Sequence, residues 1–269
     1  MAGPRLAAHR GGAALWPENS LAAFAGALAL GIDLLELDVH LSADDEVVVI
    51  HDATLERTTD GTGAVRAQAA TALRRLHLRG PDGAVTGERL PLLDDVLALV
   101  APSSAGLLVE MKGPATAVRY GRGTEEQVEI EPGPMYPGLE ERVLARLEAA
   151  GMTDRATIMA FNPAVLVRVR SLAPAWRTTL LVARGDVERA GARATDTLEW
   201  ATRLGVTDLG LEQTLVDADV VAGAHARGLL VGAWTANDER TLRRLFALGV
   251  DVVTADRPDI ALTLREPNG

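Results

Sequence analysis

Nine short runs rich in β-branched and apolar residues recur along the chain, at 5–9, 33–39, 47–50, 106–112, 156–161, 178–183, 206–212, 228–234 and 250–255. Amphipathic helical stretches lie in most of the gaps, at 19–31, 92–100, 139–151, 163–173 and 239–249. Strand and helix that alternate to the end predict an α/β fold around a parallel sheet. One gap breaks the rhythm. Only SADDE separates Leu41 from Val47, and a parallel crossover takes a dozen or more residues, so VVVIHD is expected to fold back as a hairpin arm after the second strand. Setting that arm aside leaves eight strands, the count of a closed (β/α)8 TIM barrel. A doubly wound open sheet is the competing arrangement, but no GxGxxG follows a strand, and DGTG at 60–63 lacks the third glycine.

Asn19 stands where a helix N-cap is expected, and Gly31, Gly151 and Gly249 stand where helices should stop. Two stretches fall outside the repeat. Residues 52–90 are turn-rich and predict a small excursion on one barrel face; residues 113–137 mix Gly, Pro and charge without a helical period and predict a long loop. With no low-complexity tract or linker, residues 1–269 read as a single barrel domain, an ordinary length for this fold. Hydrophobic residues make up 48%, mostly Ala, Leu and Val, enough for a core of that size.

The formal net charge of -10 argues against a chain that binds nucleic acid by neutralising its phosphates. The absence of cysteine excludes disulfides and thiolate metal sites. The amino end lacks a basic and then apolar leader, and no run is long enough to span a bilayer, so the expectation is a soluble cytoplasmic protein without stable membrane insertion.

Chemistry concentrates at the ends of the strands. Residues two apart on a strand face the same side, so Glu36 and Asp38 point together, as do Glu110 and Lys112. Carboxylates in an apolar strand need compensation. A divalent cation on Glu36, Asp38 and Glu110 would supply it, with Mg²⁺ or Ca²⁺ suited to the oxygen ligands; the competing account is a salt-bridge cluster with Lys112 and Arg10. His40 continues the same face and is read as a hydrogen-bonding neighbour of the site. His9 closes the first strand and His51 the hairpin arm, positions from which two imidazoles can act as general acid and general base near neutral pH. His77 and His225 lack acidic company in the sequence and are read as structural. Arg10 and Lys112 complete an anion pocket that suits a phosphate diester.

These residues sit in HRGGAALWPENS, ELDV, VVVIHD and VEMKGP, in the order and spacing that resemble the glycerophosphodiester phosphodiesterase family. AFNPAVLVRVRSLAP, VGAWTAND and ADRPD extend the resemblance over nearly the whole chain. The resemblance implies a TIM barrel, a divalent ion on Glu36, Asp38 and Glu110, catalytic His9 and His51, and Arg10 and Lys112 on the phosphate. It also implies that Glu18 contacts the site or orients Arg10, and that Trp234, at the end of the seventh barrel strand, walls the glycerol or alcohol pocket. Gly11 and Gly12 are expected to keep the first turn thin beside the substrate. The 113–137 stretch matches least, and because it leaves the strand of Glu110 and Lys112 it is a candidate lid.

The function that follows is metal-dependent hydrolysis of small-molecule glycerophosphodiesters to glycerol 3-phosphate and an alcohol. The assignment of acid and base between His9 and His51 stays open, as does the nucleophile, either water or the glycerol 2-hydroxyl. Competing readings are a lysophospholipase D-type or a phospholipase C or sphingomyelinase D-like lipid enzyme, for which Leu15 and Trp16 offer a small apolar rim, and a silent phosphate-ester-binding barrel.

Overall fold

A computed structural model describes residues 3–114, 119–122 and 128–265. Its strands are β1 (Arg5–Ala8), β2 (Leu34–Leu41), β3 (Val47–Val49), β4 (His77–Arg79), β5 (Val85–Arg89), β6 (Gly106–Met111), β7 (Arg119–Arg122), β8 (Val128–Glu131), β9 (Ala156–Ala160), β10 (Arg177–Val182), β11 (Asp208–Glu212), β12 (Leu230–Trp234) and β13 (Val252–Ala255). The helices are α1 (Leu21–Ala29), α2 (Ala70–Leu73), α3 (Leu93–Val100), α4 (Leu139–Ala149), α5 (Pro163–Leu172), α6 (Arg184–Arg189), α7 (Thr197–Leu204), α8 (Ala218–His225), α9 (Glu239–Leu248) and α10 (Pro258–Leu264). Strands β1, β2, β6 and β9 to β13 pair in parallel, and β1 pairs with both β2 and β13, so the ring closes as the eight-stranded (β/α)8 barrel that the alternation predicts. The hairpin arm is β3, antiparallel to β2 with Val39 opposite Val49.

The period of two sorts each strand into an outer and an inner face. On β2, Leu35, Leu37, Val39 and Leu41 join the apolar layer beneath the helices, which turns Leu34, Glu36, Asp38 and His40 towards the barrel interior. On β6, Leu107, Val109 and Met111 take the outer face and leave Leu108 and Glu110 inside. Ala7, Leu34, Leu108, Met159 and Leu181 meet inside the barrel as an apolar plug. Above that plug, towards the carboxyl ends of the strands, the inner positions become acidic. The helices seal the outside: α3 buries Leu93, Val96, Leu97 and Val100, the spacing of one helical face, and each such side chain contributes roughly 1.5–3 kcal/mol by leaving water.

Three details differ from the sequence expectation. Ser20, not Asn19, caps α1, with its Oγ accepting from the Ala23 amide at 3.0 Å; Asn19 instead takes a left-handed conformation, φ 59°, which asparagine tolerates better than most residues. The 113–137 stretch is not wholly irregular, since β7 and β8 form an antiparallel ribbon beside α6; residues 115–118 and 123–127 of the expected loop lie outside the described residues. The 52–90 excursion does leave the barrel as expected, but it carries the β4–β5 hairpin and α2 over an apolar cluster of its own that includes Ile50, Leu55, Leu73 and Leu90. Among the described residues, no helix is long and apolar enough to cross a membrane.

A candidate active site at the barrel mouth

The first turn after β1 sets the geometry. Arg10 is left-handed (φ 50°), an unfavourable conformation for a side chain other than Gly, Asn or Asp. Two hydrogen bonds hold it there: its amide donates to Glu36 Oε2 at 2.9 Å, and its carbonyl accepts from the Asn19 amide at 2.9 Å. Gly11 and Gly12 follow at φ 82° and 107°. A Cβ on Gly11 would lie 2.7 Å from Ala23 Cβ, and one on Gly12 would lie 3.1 Å from the Trp16 ring, so these glycines make room for α1 and Trp16 and not, as expected, for substrate. Trp16 packs its indole against Gly12 and Gly26 and is half-buried.

Glu36, Asp38 and Glu110 are buried together, with one oxygen from each lying within 4.8 Å of the others. Asp38 Oδ1 lies 2.9 Å from Lys112 Nζ and Oδ2 lies 3.3 Å from Arg10 Nε, while Asn19 Nδ2 donates to Oδ2 at 2.9 Å. Lys112 also pairs with Glu110. Burial opposes ionisation of Asp38, but the Lys112 and Arg10 charges outweigh it and hold this carboxyl well below the usual range. Glu36 behaves in the opposite way. Burial, followed by the Asp38 charge, pushes it up to about 8, and among the described residues no lysine or arginine forms an ion pair with it. The salt-bridge account therefore covers Asp38 and Glu110, whereas Glu36 faces the His9 imidazole at 4.0 Å and pairs with no lysine or arginine among the described residues. The three side chains could hold a divalent ion, whose charge would favour the ionised form of Glu36.

A histidine stands beside each end of this cluster. His9 Nδ1 is 2.6 Å from Asp256 Oδ1 and its Nε2 is 4.0 Å from Glu36 Oε2. Asn237 fixes Asp256 from behind, donating from Nδ2 to Oδ2 at 2.5 Å and accepting the Asp256 amide at 2.9 Å. Burial alone would lower His9, but the Asp256 hydrogen bond and the Glu36 charge raise it. His51 Nδ1 is likewise 2.6 Å from Asp52 Oδ1, and burial, with the Lys112 and Arg10 charges, lowers its pKa. Asp52 and Glu18 share Arg57, which donates from Nε to Asp52 at 2.6 Å and from Nη1 to Glu18 at 2.8 Å. Glu18 in turn accepts from Arg10 Nη1 at 3.0 Å. A chain of charged groups thus links His51 to Arg10.

His40 lies below His51, with Nε2 3.0 Å from the His51 carbonyl oxygen and Nδ1 2.9 Å from the Tyr136 hydroxyl. Burial lowers it to about 4, so it is neutral and stands outside the acidic triad. Phe161 and Trp234 meet edge to face at 5.5 Å on the wall of the mouth cavity, which His9, Arg10, Glu110 and Lys112 also line.

The barrel brings together every residue singled out from the sequence for the site: His9, Arg10, Glu18, Glu36, His51, Glu110, Lys112 and Trp234, with Asp38 beneath. It leaves His77 outside this group and sets His225 on the same cavity beside the amino-terminal ends of the strands; each has the acidic neighbour the sequence reading denied it, Asp60 at 3.2 Å and Asp251 at 2.8 Å. Sequence reasoning missed Asp52, Arg57, Tyr136, Asn237 and Asp256. For Asp52 the available signal was its place directly after His51 in IHD; Asn237 in TAND and Asp256 in ADRPD have no histidine beside them in the sequence.

A parallel barrel that gathers carboxylates, carboxylate-backed histidines and cations at the carboxyl ends of its strands belongs to the barrel enzymes that act on anionic esters. The sequence profile described as the glycerophosphoryl diester phosphodiesterase family matches residues 9–260, and the chain belongs to that family. It is 29% identical over 265 residues to the glycerophosphodiester phosphodiesterase of Caldanaerobacter subterraneus subsp. tengcongensis, covering 97% of this chain and 98% of that one. It is 31% identical over 268 residues to the glycerophosphodiester phosphodiesterase of Bacillus altitudinis, with 97% and 98% covered. A solved structure from Agrobacterium tumefaciens is similar at a TM-score of 0.83 and 28% identity over 98% of both chains. An Oleispira antarctica phosphodiesterase in complex with the product sn-glycerol-3-phosphate is similar at a TM-score of 0.75 and 26% identity, covering 97% and 96%.

Proposed function

We propose that the chain hydrolyses glycerophosphodiesters to glycerol 3-phosphate and an alcohol, with Mg²⁺ or Ca²⁺ held by Glu36, Asp38 and Glu110. The observation that carries this reading is the matched pair of histidines, each with Nδ1 committed to a carboxylate, Asp256 or Asp52, at 2.6 Å. Such a bond leaves Nε2 of each ring as the atom that takes or gives a proton. One imidazole accepts the proton of the attacking hydroxyl, and the other protonates the departing alcohol oxygen.

Arg10 and Lys112 bind the phosphoryl oxygens, and Glu18 holds the Arg10 guanidinium in place. The divalent ion, when bound, adds neutralisation of the phosphoryl charge. The buried Glu36, without a lysine or arginine partner among the described residues, supports that ion, as does the oxygen-only donor set. Phe161 and Trp234 give the organic part of the substrate an apolar wall. The Oleispira antarctica relative, with its bound sn-glycerol-3-phosphate, supports the product assignment.

The test is incubation with glycerophosphocholine, glycerophosphoethanolamine, glycerophosphoinositol and lysophosphatidylcholine, with Mg²⁺, with Ca²⁺ and with chelator, followed by phosphorus NMR. Glycerol 3-phosphate that forms only with a divalent ion is expected, and a transient cyclic phosphate would identify the 2-hydroxyl as nucleophile. Lysophosphatidic acid from the lipid alone would move the assignment to a lipid phosphodiesterase. Absence of turnover with every substrate and ion would overturn the enzyme reading in favour of a binding barrel.

A further inference from the structure

His51 reaches the site from a hairpin arm outside the ring of barrel strands, so its backbone has fewer constraints than that of His9. The residue before it, Ile50, donates its amide to the Asp38 carbonyl at 3.0 Å. The carbonyl of His51 itself is held by a side chain, His40, at 3.0 Å from Nε2. A carbonyl oxygen can only accept, so His40 Nε2 carries the hydrogen, and Nδ1 of the neutral ring accepts from the Tyr136 hydroxyl at 2.9 Å. Tyr136 is 3% exposed and His40 1% exposed, so neither hydrogen bond competes with bulk water.

Tyr136 is itself anchored from two sides. Its ring meets His40 edge to face at 5.7 Å and lies under the Arg66 guanidinium at 5.9 Å. Three residues upstream, the Gly133 carbonyl accepts from Asn162 Nδ2 at 2.9 Å, tying this segment to the N-cap of α5. A fixed hydroxyl at the end of that segment therefore sets the His40 ring, and the ring sets the His51 backbone.

We propose that Tyr136 and His40 are positioning residues for His51, and that the return leg of the 113–137 stretch serves the site by carrying Tyr136 to it. This rests on the reading of His51 as a proton-transfer group. Tyr136→Phe removes only the hydroxyl, and His40→Leu removes the donor to the carbonyl, whereas His40→Gln keeps a donor where Nε2 was. In Tyr136→Phe and His40→Leu, kcat for a glycerophosphodiester falls by about ten-fold with KM unchanged, the size expected when a reacting group is slightly misplaced. His40→Gln recovers most of the loss.

A merely structural role would cost the same in any background, so the deciding measurement is a cycle with His51→Ala. There Tyr136→Phe has no further effect on the residual turnover if it acts through His51, and an equal further loss would overturn the proposal. The ring-proton NMR resonances of the two site histidines give a second readout that needs no turnover. In Tyr136→Phe that of His51 moves and that of His9 stays. Unmoved His51 resonances would refute the positioning role even if the enzyme acts on another substrate, whereas a moved resonance with no turnover would fault the substrate assignment alone.

Discussion

Asp256 stands 2.6 Å from His9 Nδ1, although the two residues are separated by 247 positions in the chain. The carboxylate fixes which ring nitrogen carries the hydrogen, and Asn237 fixes the carboxylate. Asp256→Asn keeps the shape and loses the charge, so kcat is expected to fall roughly 10- to 100-fold with little change in KM, the usual cost of removing a supporting carboxylate. Steady-state kinetics on the best glycerophosphodiester checks this, and an unchanged kcat would remove His9 from proton transfer.

Arg57 bridges Asp52 and Glu18 with its whole guanidinium. Its side chain is 48% exposed, so its pairs add little to stability, within about 1 kcal/mol. The expected effect of Arg57→Met is functional, because both the His51 carboxylate and the Arg10 carboxylate lose their common partner. A fall of about ten-fold in kcat/KM at an almost unchanged melting temperature is predicted. A large drop in melting temperature with normal kcat/KM would reassign Arg57 to the fold.

Glu36 keeps its proton up to about 8 in the metal-free protein. A cation that binds the carboxylate must expel that proton, so affinity should tighten as the pH rises towards that value and level off above it. Calorimetric titrations with Mg²⁺ or Ca²⁺ near neutral pH, in buffers of different ionisation heat, are expected to record about one proton released per ion. Affinity independent of pH, with no release, would mean that the ion does not use Glu36.

His40 gives a prediction about stability. Its folded value is depressed from 6.5 to about 4, so its contribution is complete above 6.5 and fades as the pH falls towards about 4. The loss amounts to about 3 kcal/mol at the acid end. Urea unfolding of the native chain and His40→Gln at neutral pH and near pH 4 reads it: the variant should lose less stability on acidification, and equal losses would show that His40 titrates normally.

The barrel and the acidic triad were legible because both write themselves into the sequence with a short period. Glu36, Asp38 and Glu110 interrupt strands that are otherwise apolar, and a carboxylate in such a place stands out against the energetic cost of burying it. Asn237, Asp256 and Arg57 do not stand out, since polar residues in connecting segments are ordinary and only the folded chain shows what they touch. Asn19 was read for its position before a helix, and the same position put its amide against Asp38, leaving the cap to Ser20. The β7–β8 ribbon escaped because its strands have four residues each and Gly121 interrupts the first, too little for a period to register.

The pairing of Ala8 with Ala255 joins the first barrel strand to the last, and His9 and Asp256 are the next residue on each. During synthesis, the His9 side waits for its partner until the last barrel strand, β13, has left the ribosome. A chain complete through β12 carries the acidic triad, Arg10 and His51 but lacks the group that orients His9. Turnover therefore reports ring closure, and a refolding experiment followed by product formation should lag behind one followed by helix signal by the time the final strand takes to dock.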